Sequence, residues 1–156
     1  MIRPVTRDDT AAVMTLAEAS GLFLPRELEE LAGGLADFFG GDQTRPHFWL
    51  ADDDGGLVSV AYCAPEALTD RTWNLLFIAV HPDLRGQGRG AALLRHVERT
   101  LAERGERLLL VETSGAEAFE RTRAFYQKRG FDEEARIRDF YEAGSDKVIY
   151  RKLLAV

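Results

Sequence analysis

One cysteine in 156 residues, Cys63, leaves no partner for an internal disulfide and fits a reducing compartment. Its thiol reads first as a small buried hydrophobe in a strand, with a covalent acyl carrier as the other reading. Histidine is equally sparse. His47, His81 and His96 are scattered, no cluster stands at metal-ligand spacing, and no metal is expected. Long apolar runs are missing too: Leu75–Val80 and Leu108–Val111 fall far short of the roughly 18 residues that cross a bilayer, so no membrane association is expected. The opening MIRPVTRDD has neither the apolar core nor the cleavage site of a secretory leader, which makes a cytoplasmic location the expectation. Nor is there an excess of positive charge. Twenty Lys and Arg against 26 Asp and Glu leave a net charge of −6, which argues against nucleic acid and suits an amine ligand better.

What is present reads as a single domain. A composition that is 46% hydrophobic and 29% charged is that of a globular chain, and this length can bury about two thirds of its unfolded surface. Ile2–Val5 reads as a first strand, followed by a helix capped by Thr6 or Asp8 and stopped by Gly21. A second helix opens at Pro25 and carries Leu28, Leu31, Leu35 and Phe38 at helical spacing, with Gly33-Gly34 weakening it. His47–Ala51 and Leu57–Ala64 flank Asp52-Asp53-Asp54-Gly55-Gly56, which reads as the solvated turn of a hairpin rather than a calcium loop. Thr72–Val80, a helix to about Arg104 and the strand Arg107–Glu112 form a βαβ unit. A helix over Glu117–Arg129 ends at Gly130. Phe131–Arg138 and Lys147–Leu154 then close the chain around a loop at Asp139–Asp146. The order β-α-α-β-β-β-α-β-α-β-β predicts an α/β domain with a mixed sheet.

The chemistry concentrates where Thr72–Val80 meets the third helix. In Arg85-Gly86-Gln87-Gly88-Arg89-Gly90 every second residue lacks a Cβ, which permits positive φ and close approach to backbone N–H groups. The helix that starts there adds unpaired amides and the positive end of its dipole, and the sum is an anion pocket suited to phosphate or pyrophosphate. A flexible strand-to-helix connection is the alternative. The spacing matches neither the Walker loop nor the dinucleotide fingerprint.

Val80-His81-Pro82-Asp83-Leu84-Arg85-Gly86-Gln87-Gly88-Arg89-Gly90 resembles the acyl-CoA pyrophosphate loop of the GNAT N-acyltransferase superfamily, and Phe125-Tyr126-Gln127-Lys128-Arg129-Gly130-Phe131 resembles that family's second block. The finer texture is similar to a bacterial subgroup without settled substrates. This resemblance implies a single GNAT-like domain over residues 1–156, a mixed and mainly antiparallel sheet with a central parallel βαβ unit flanked by helices. It also implies acetyl-CoA as co-substrate. Arg85, Gly86, Gln87, Gly88, Arg89 and Gly90, with Ala91 at the helix start, would hold the pyrophosphate through backbone amides. The Arg85 and Arg89 side chains would either face CoA phosphates or be solvated. The strand before the loop splays from the next in this family, so Phe77, Ile78 and Val80 would line the thioester arm, with the Val80 amide polarising the acetyl carbonyl.

The same resemblance puts Tyr126 at the general-acid position, where a phenol, protonated at neutral pH, could donate to the leaving thiolate. A buried aromatic with one hydrogen bond is the plainer reading. Glu112 lies near the place of a general base in some members, or forms a structural salt bridge. Phe119 stands where many members carry a pantetheine-binding Asn. Acceptor choice falls to Leu22–Leu28, Ala64–Arg71 and Asp139–Ser145, where Asp139 and Tyr141 either hold an ammonium or simply close the sheet. The expected function is transfer of acetyl from acetyl-CoA to the primary amine of a small metabolite by direct attack in a ternary complex. A non-catalytic acyl-CoA-binding regulatory module and a protein N-terminal or lysine acetyltransferase are the alternatives. A homodimer is left open.

Overall fold

A computed structural model describes residues 1–41 and 46–154. Eleven elements follow one another: β1 (Ile2–Pro4), α1 (Thr10–Ser20), α2 (Pro25–Gly40), β2 (Phe48–Asp53), β3 (Leu57–Pro65), β4 (Thr72–Val80), α3 (Arg89–Glu103), β5 (Leu108–Ser114), α4 (Glu120–Lys128), β6 (Asp132–Glu142) and β7 (Ser145–Leu153). The order of types is the one expected from the sequence. Single 3-10 turns at Arg7–Asp9, Pro82–Leu84 and Glu117–Phe119 lead into α1, the glycine loop and α4. The seven strands make one mainly antiparallel sheet in the order β1-β2-β3-β4-β5-β7-β6. Its parallel ladder joins β4 to β5 from Thr72↔Leu108 to Leu75↔Val111.

The chain divides into two compact units. The first comprises Met1–Ala64 and Phe77–Val97. Its core gathers Val13 and Leu16 of α1, Leu35 of α2, Trp49 and Ala51 of β2, Val60 of β3, and Phe77 and Ala79 of β4. Burial of each of the larger side chains contributes about 1.5–3 kcal/mol, Leu35 of α2 among them, which offsets Gly33 and Gly34 in that helix at about 1 kcal/mol apiece. At the entry to α1, Asp9 accepts the Thr6 N–H at 2.7 Å and takes the Arg3 guanidinium in a two-point bridge of 2.8 and 3.0 Å. The expected cap thus sits one short turn before the α-helix proper, which begins at Thr10. Gly21 ends α1 with φ of 70°.

The second unit comprises Pro65–Leu76 and Glu98–Val156. β7 lies between β5 and β6, pairing Val111↔Tyr150 on one side and Arg136↔Val148 on the other. Val111, Val148 and Tyr150 are fully buried there. Two expectations need correction. β5 runs through Glu112 to Ser114, so Glu112 is inside the strand and does not end it. The expected loop at Asp139–Asp146 is mostly strand: β6 continues to Glu142, β7 starts at Ser145, and a tight turn at Ala143-Gly144 joins them. Asp139 masked the continuation of the strand beyond Arg138, and it bends β6 with φ of 54° instead of breaking it.

Candidate active site

The glycine loop of the first unit is built in three steps. His81 leaves β4 and its Nδ1 accepts the Asp83 N–H at 3.2 Å, fixing the turn that Pro82 begins. Arg85 is extended, with its guanidinium donating to the Ser20 carbonyl at the end of α1 at 3.0 Å. Gly86 and Gly88 then take φ of 77° and 80°, the left-handed region in which a side chain is disfavoured. The first helical bond of α3 runs from the Ala92 N–H to the Gly88 carbonyl at 3.0 Å. Among the described residues, the amides from Gly86 to Ala91 find no backbone acceptor. Six consecutive N–H groups stand at the positive end of a 15-residue helix, an arrangement that attracts oxyanions.

Arg89 has a different occupation from either one expected of it. Its guanidinium donates to Asp52 at 3.1 Å and Asp54 at 2.7 Å, and these bonds raise its pKa above the usual arginine range. Asp52 is only 5% exposed, and its second oxygen accepts the N-terminal ammonium at 3.0 Å. Asp53 is bonded to Arg3 at 3.0 Å and to the Gly56 N–H at 3.1 Å, and the Arg3 bonds hold its carboxyl below the usual range. The acidic hairpin turn is therefore not merely solvated. Two of its carboxylates anchor the first residue of α3, a pairing across 37 and 35 residues that no local pattern announces. The backbone N–H of Arg89 is untouched by this clamp.

On β4, the Phe77 ring stacks on Phe23 at 5.2 Å and lies 5.7 Å from Trp49, so its side chain belongs to the core. Ile78 and Val80 are half-buried. Cys63 on β3 is wholly buried, as its reading as a small hydrophobe requires.

The second unit holds the other candidates. Tyr126 is 2% exposed, on the inner face of α4, with ring centroids of Phe131 and Tyr150 at 5.7 and 6.0 Å. Tyr150 is buried beside it, and that burial raises its phenol above the usual tyrosine range. The start of α4 is tied down by Arg123, which donates to the carbonyls of Ser114 and Ala116 at 2.8 and 2.7 Å. Phe119 serves as the residue before that helix and is no stand-in for an amide donor.

Glu112 is half-buried and fully engaged. One oxygen pairs with Lys147 at 3.0 Å, and the other accepts from Asn74 at 3.2 Å. Asn74 also donates to Glu66 at 2.8 Å, so one buried amide bridges two carboxylates. Asn74 of β4 and Lys147 of β7 drew no attention in the sequence, and Glu66, just past the end of β3, entered only as part of Ala64–Arg71, because the three lie far apart and share no motif. Asp139 serves its own hairpin: its N–H donates to Asp146 at 3.0 Å and its carboxylate accepts the Gly144 N–H at 2.8 Å. Of the two readings of that segment, closure of the sheet is the one these bonds support. The cation held by an aromatic ring here is Lys147, 4.3 Å above Phe140.

A strand, a glycine turn of positive φ and a helix with free leading amides form an anion-binding turn in a mixed sheet, and a family comparison places that arrangement. Residues 44–133 match the acetyltransferase (GNAT) domain, and the chain belongs to that family. It is similar to a GNAT-family protein from Desulfovibrio desulfuricans of known structure, at 33% identity over 99% of both chains and a TM-score of 0.92. A curated relative, an amino-acid acetyltransferase of Ralstonia nicotianae, is 29% identical over 133 residues. That match covers 83% of this chain and 26% of the relative, so the chain spans about a quarter of that protein's length. An aminoglycoside 6'-N-acetyltransferase complexed with coenzyme A shares the fold at a TM-score of 0.79 and 16% identity, covering 100% of this chain and 98% of that one.

Proposed function

We propose that the chain is one N-acetyltransferase domain, residues 1–156, that moves an acetyl group from acetyl-CoA to the primary amine of a small metabolite by direct attack in a ternary complex. The row of unpartnered amides from Gly86 to Ala91 carries this reading, because it is an oxyanion cradle made of backbone and needs no side chain. Family membership supplies the oxyanion, the pyrophosphate of CoA. Arg85 borders that cradle, and Arg89 contributes its N–H while its side chain stays with Asp52 and Asp54. The ladder to β5 covers only the first four residues of β4, which supports Phe77, Ile78 and Val80 offering backbone to the thioester arm. A Val80 amide aimed at the carbonyl would lower the barrier by about 3–4 kcal/mol.

In this scheme the acceptor ammonium gives a proton to Glu112, whose Oε2 exchanges Lys147 for the incoming amine. The freed amine attacks the acetyl carbon, the new C–N bond forms as the C–S bond breaks, Tyr126 passes its phenolic proton to the departing thiolate, and the second proton shed by the new amide nitrogen restores the phenol through solvent. The amino-acid acetyltransferase among its relatives and the acidic net charge both favour a small amine as acceptor. Calorimetry with acetyl-CoA, followed by a thiol-release screen over amino acids, polyamines, aminoglycosides and peptides, tests the proposal. Binding together with thiol release on a small amine is the expected result. Absence of acetyl-CoA binding removes the enzyme reading, binding without release on any amine points to a regulatory module, and release on peptides alone moves the acceptor to protein.

A further inference from the structure

One face of the sheet in the second unit is partly open. Along β5, Leu109, Val111 and Thr113 are buried while Leu110 and Glu112 are half-buried, and β7 repeats the pattern with Val148 and Tyr150 buried and Lys147, Ile149 and Arg151 half-buried. The half-buried set shares a face, because Leu110 stands opposite Arg151 and Glu112 opposite Ile149. Asn74 of β4 joins that face as the partner of Leu110. Lys147 and Arg151, two residues either side of Ile149, are therefore the two diagonal neighbours of Glu112 across the ladder. Lys147 reaches Glu112 at 3.0 Å. Arg151 has no such contact: among the described residues it enters no ion pair or side-chain hydrogen bond, not even with Asp132, its ladder partner on β6.

At the carboxylate end, Asn74 is 2% exposed and its Nδ2 donates to both Glu66 and Glu112, at 2.8 and 3.2 Å. Turning the carboxamide over would set Oδ1 against two carboxylates, so the charges select this orientation. Oδ1 is then left buried with no hydrogen-bond partner among the described residues. Glu66 is fixed from behind, its N–H donating to the Thr72 carbonyl at 2.8 Å and its carbonyl accepting the Thr69 hydroxyl at 2.9 Å. Two carboxylates and an orphan carbonyl gathered at one amide call for N–H donors, and the single bond from Lys147 meets only part of that demand.

We propose that this face takes the acceptor as an α-amino acid, with its ammonium on Glu112 and Glu66 and its carboxylate on Arg151. The proposal rests on Glu112 as the group that receives the acceptor's ammonium. Diagonal neighbours in a sheet stand roughly 7–8 Å apart, and a zwitterion with both charges on one carbon fills that interval with a hydrogen bond at each end. A guanidinium presents its N–H groups as a planar fork, which a carboxylate meets at two points. Leu110 and Ile149 occupy the other diagonal of the same square and give the carbon skeleton an apolar floor. An amine without a carboxylate leaves Arg151 unpaired, and an amino-acid amide offers it only a neutral oxygen.

Calorimetry and thiol release from acetyl-CoA, run on the full chain with the common α-amino acids in both enantiomers, test this. The best acceptor is then compared with its own primary amide and its decarboxylated amine. The expected result is an amino acid that binds and releases thiol with kcat/KM roughly ten-fold or more above both counterparts. Arg151→Gln is expected to erase that margin by raising KM for the acid, and Arg151→Lys, which keeps the charge but not the fork, to retain part of it. Glu66→Gln is expected to raise KM for acid, amide and amine alike, since all three carry the ammonium. Circular dichroism separates lost recognition from lost folding, and the comparison of acid, amide and amine on the unaltered chain stands without any variant. An amide or amine that serves as well as its amino acid overturns the proposal, as does a folded Arg151→Gln that keeps the margin. Failure to bind acetyl-CoA removes the transferase reading itself, whereas acetyl-CoA binding with no α-amino acid bound overturns this proposal alone.

Discussion

Tyr126 and Phe differ by one oxygen, and the ring that both share is the part packed on Phe131 and Tyr150. Tyr126→Phe is therefore expected to keep the fold and acetyl-CoA affinity within about two-fold while lowering kcat by about 10²–10⁴, the usual worth of a positioned proton donor. Steady-state kinetics alongside calorimetry check this, and an unaltered kcat removes Tyr126 from the role of acid. A second residue-scale expectation concerns acid stability. Hydrogen bonds from Arg3 hold the Asp9 carboxyl down to about 2 from an ordinary value of 3.8. The folded chain binds fewer protons there than the unfolded one, so the bridge contributes fully above about pH 4 and its contribution is lost as the pH falls through 2. With solvent screening this amounts to about 1 kcal/mol or less. Urea unfolding across that range should show the loss, and Asp9→Asn should abolish that part of the slope. A single residue was legible in the sequence where a local pattern announced its backbone, as with the positive φ of Gly88. Asp52, Asn74 and Lys147 were not, since each acquires its partner only when distant strands meet.

Glycine has opposite meanings in two of the elements. Gly34 lies inside α2, nothing stands within 4 Å of an added Cβ, and its backbone is helical. Gly88 also has room for a Cβ, but its φ of 80° is unfavourable for any L side chain. Gly34→Ala is expected to stabilise the fold by about 0.5–1 kcal/mol. Gly88→Ala is expected to cost about 1–2 kcal/mol and to weaken acetyl-CoA binding roughly ten-fold, since the strain and the methyl group both fall on the amide cradle. Thermal unfolding and calorimetry on both variants separate the two effects, and equal shifts in stability would sink the argument. At this scale the sequence reading was good for elements with strong periodicity or punctuation, and β4 was placed to the residue. It stopped short at β6, found as far as Arg138 but continued by the structure to Glu142, because edge strands tolerate charge on both faces and Asp139 opens what resembles a loop.

For the whole molecule, the alternation of strands and helices was readable because each element carries its own period, and the parallel pair followed from the long α3 connection. The spatial order of strands was not readable. Nothing in Asp132–Leu153 states that the later strand lies inside and the earlier one outside. That inversion matters during synthesis. β6 leaves the ribosome before β7, yet among the described residues its ladder to the sheet runs through β7, and β7 takes the place beside β5. A chain ending at Glu142 would therefore hold every element from β1 to α4 and a strand with nowhere to dock, and the final residues Ser145–Leu153 would complete two ladders at once.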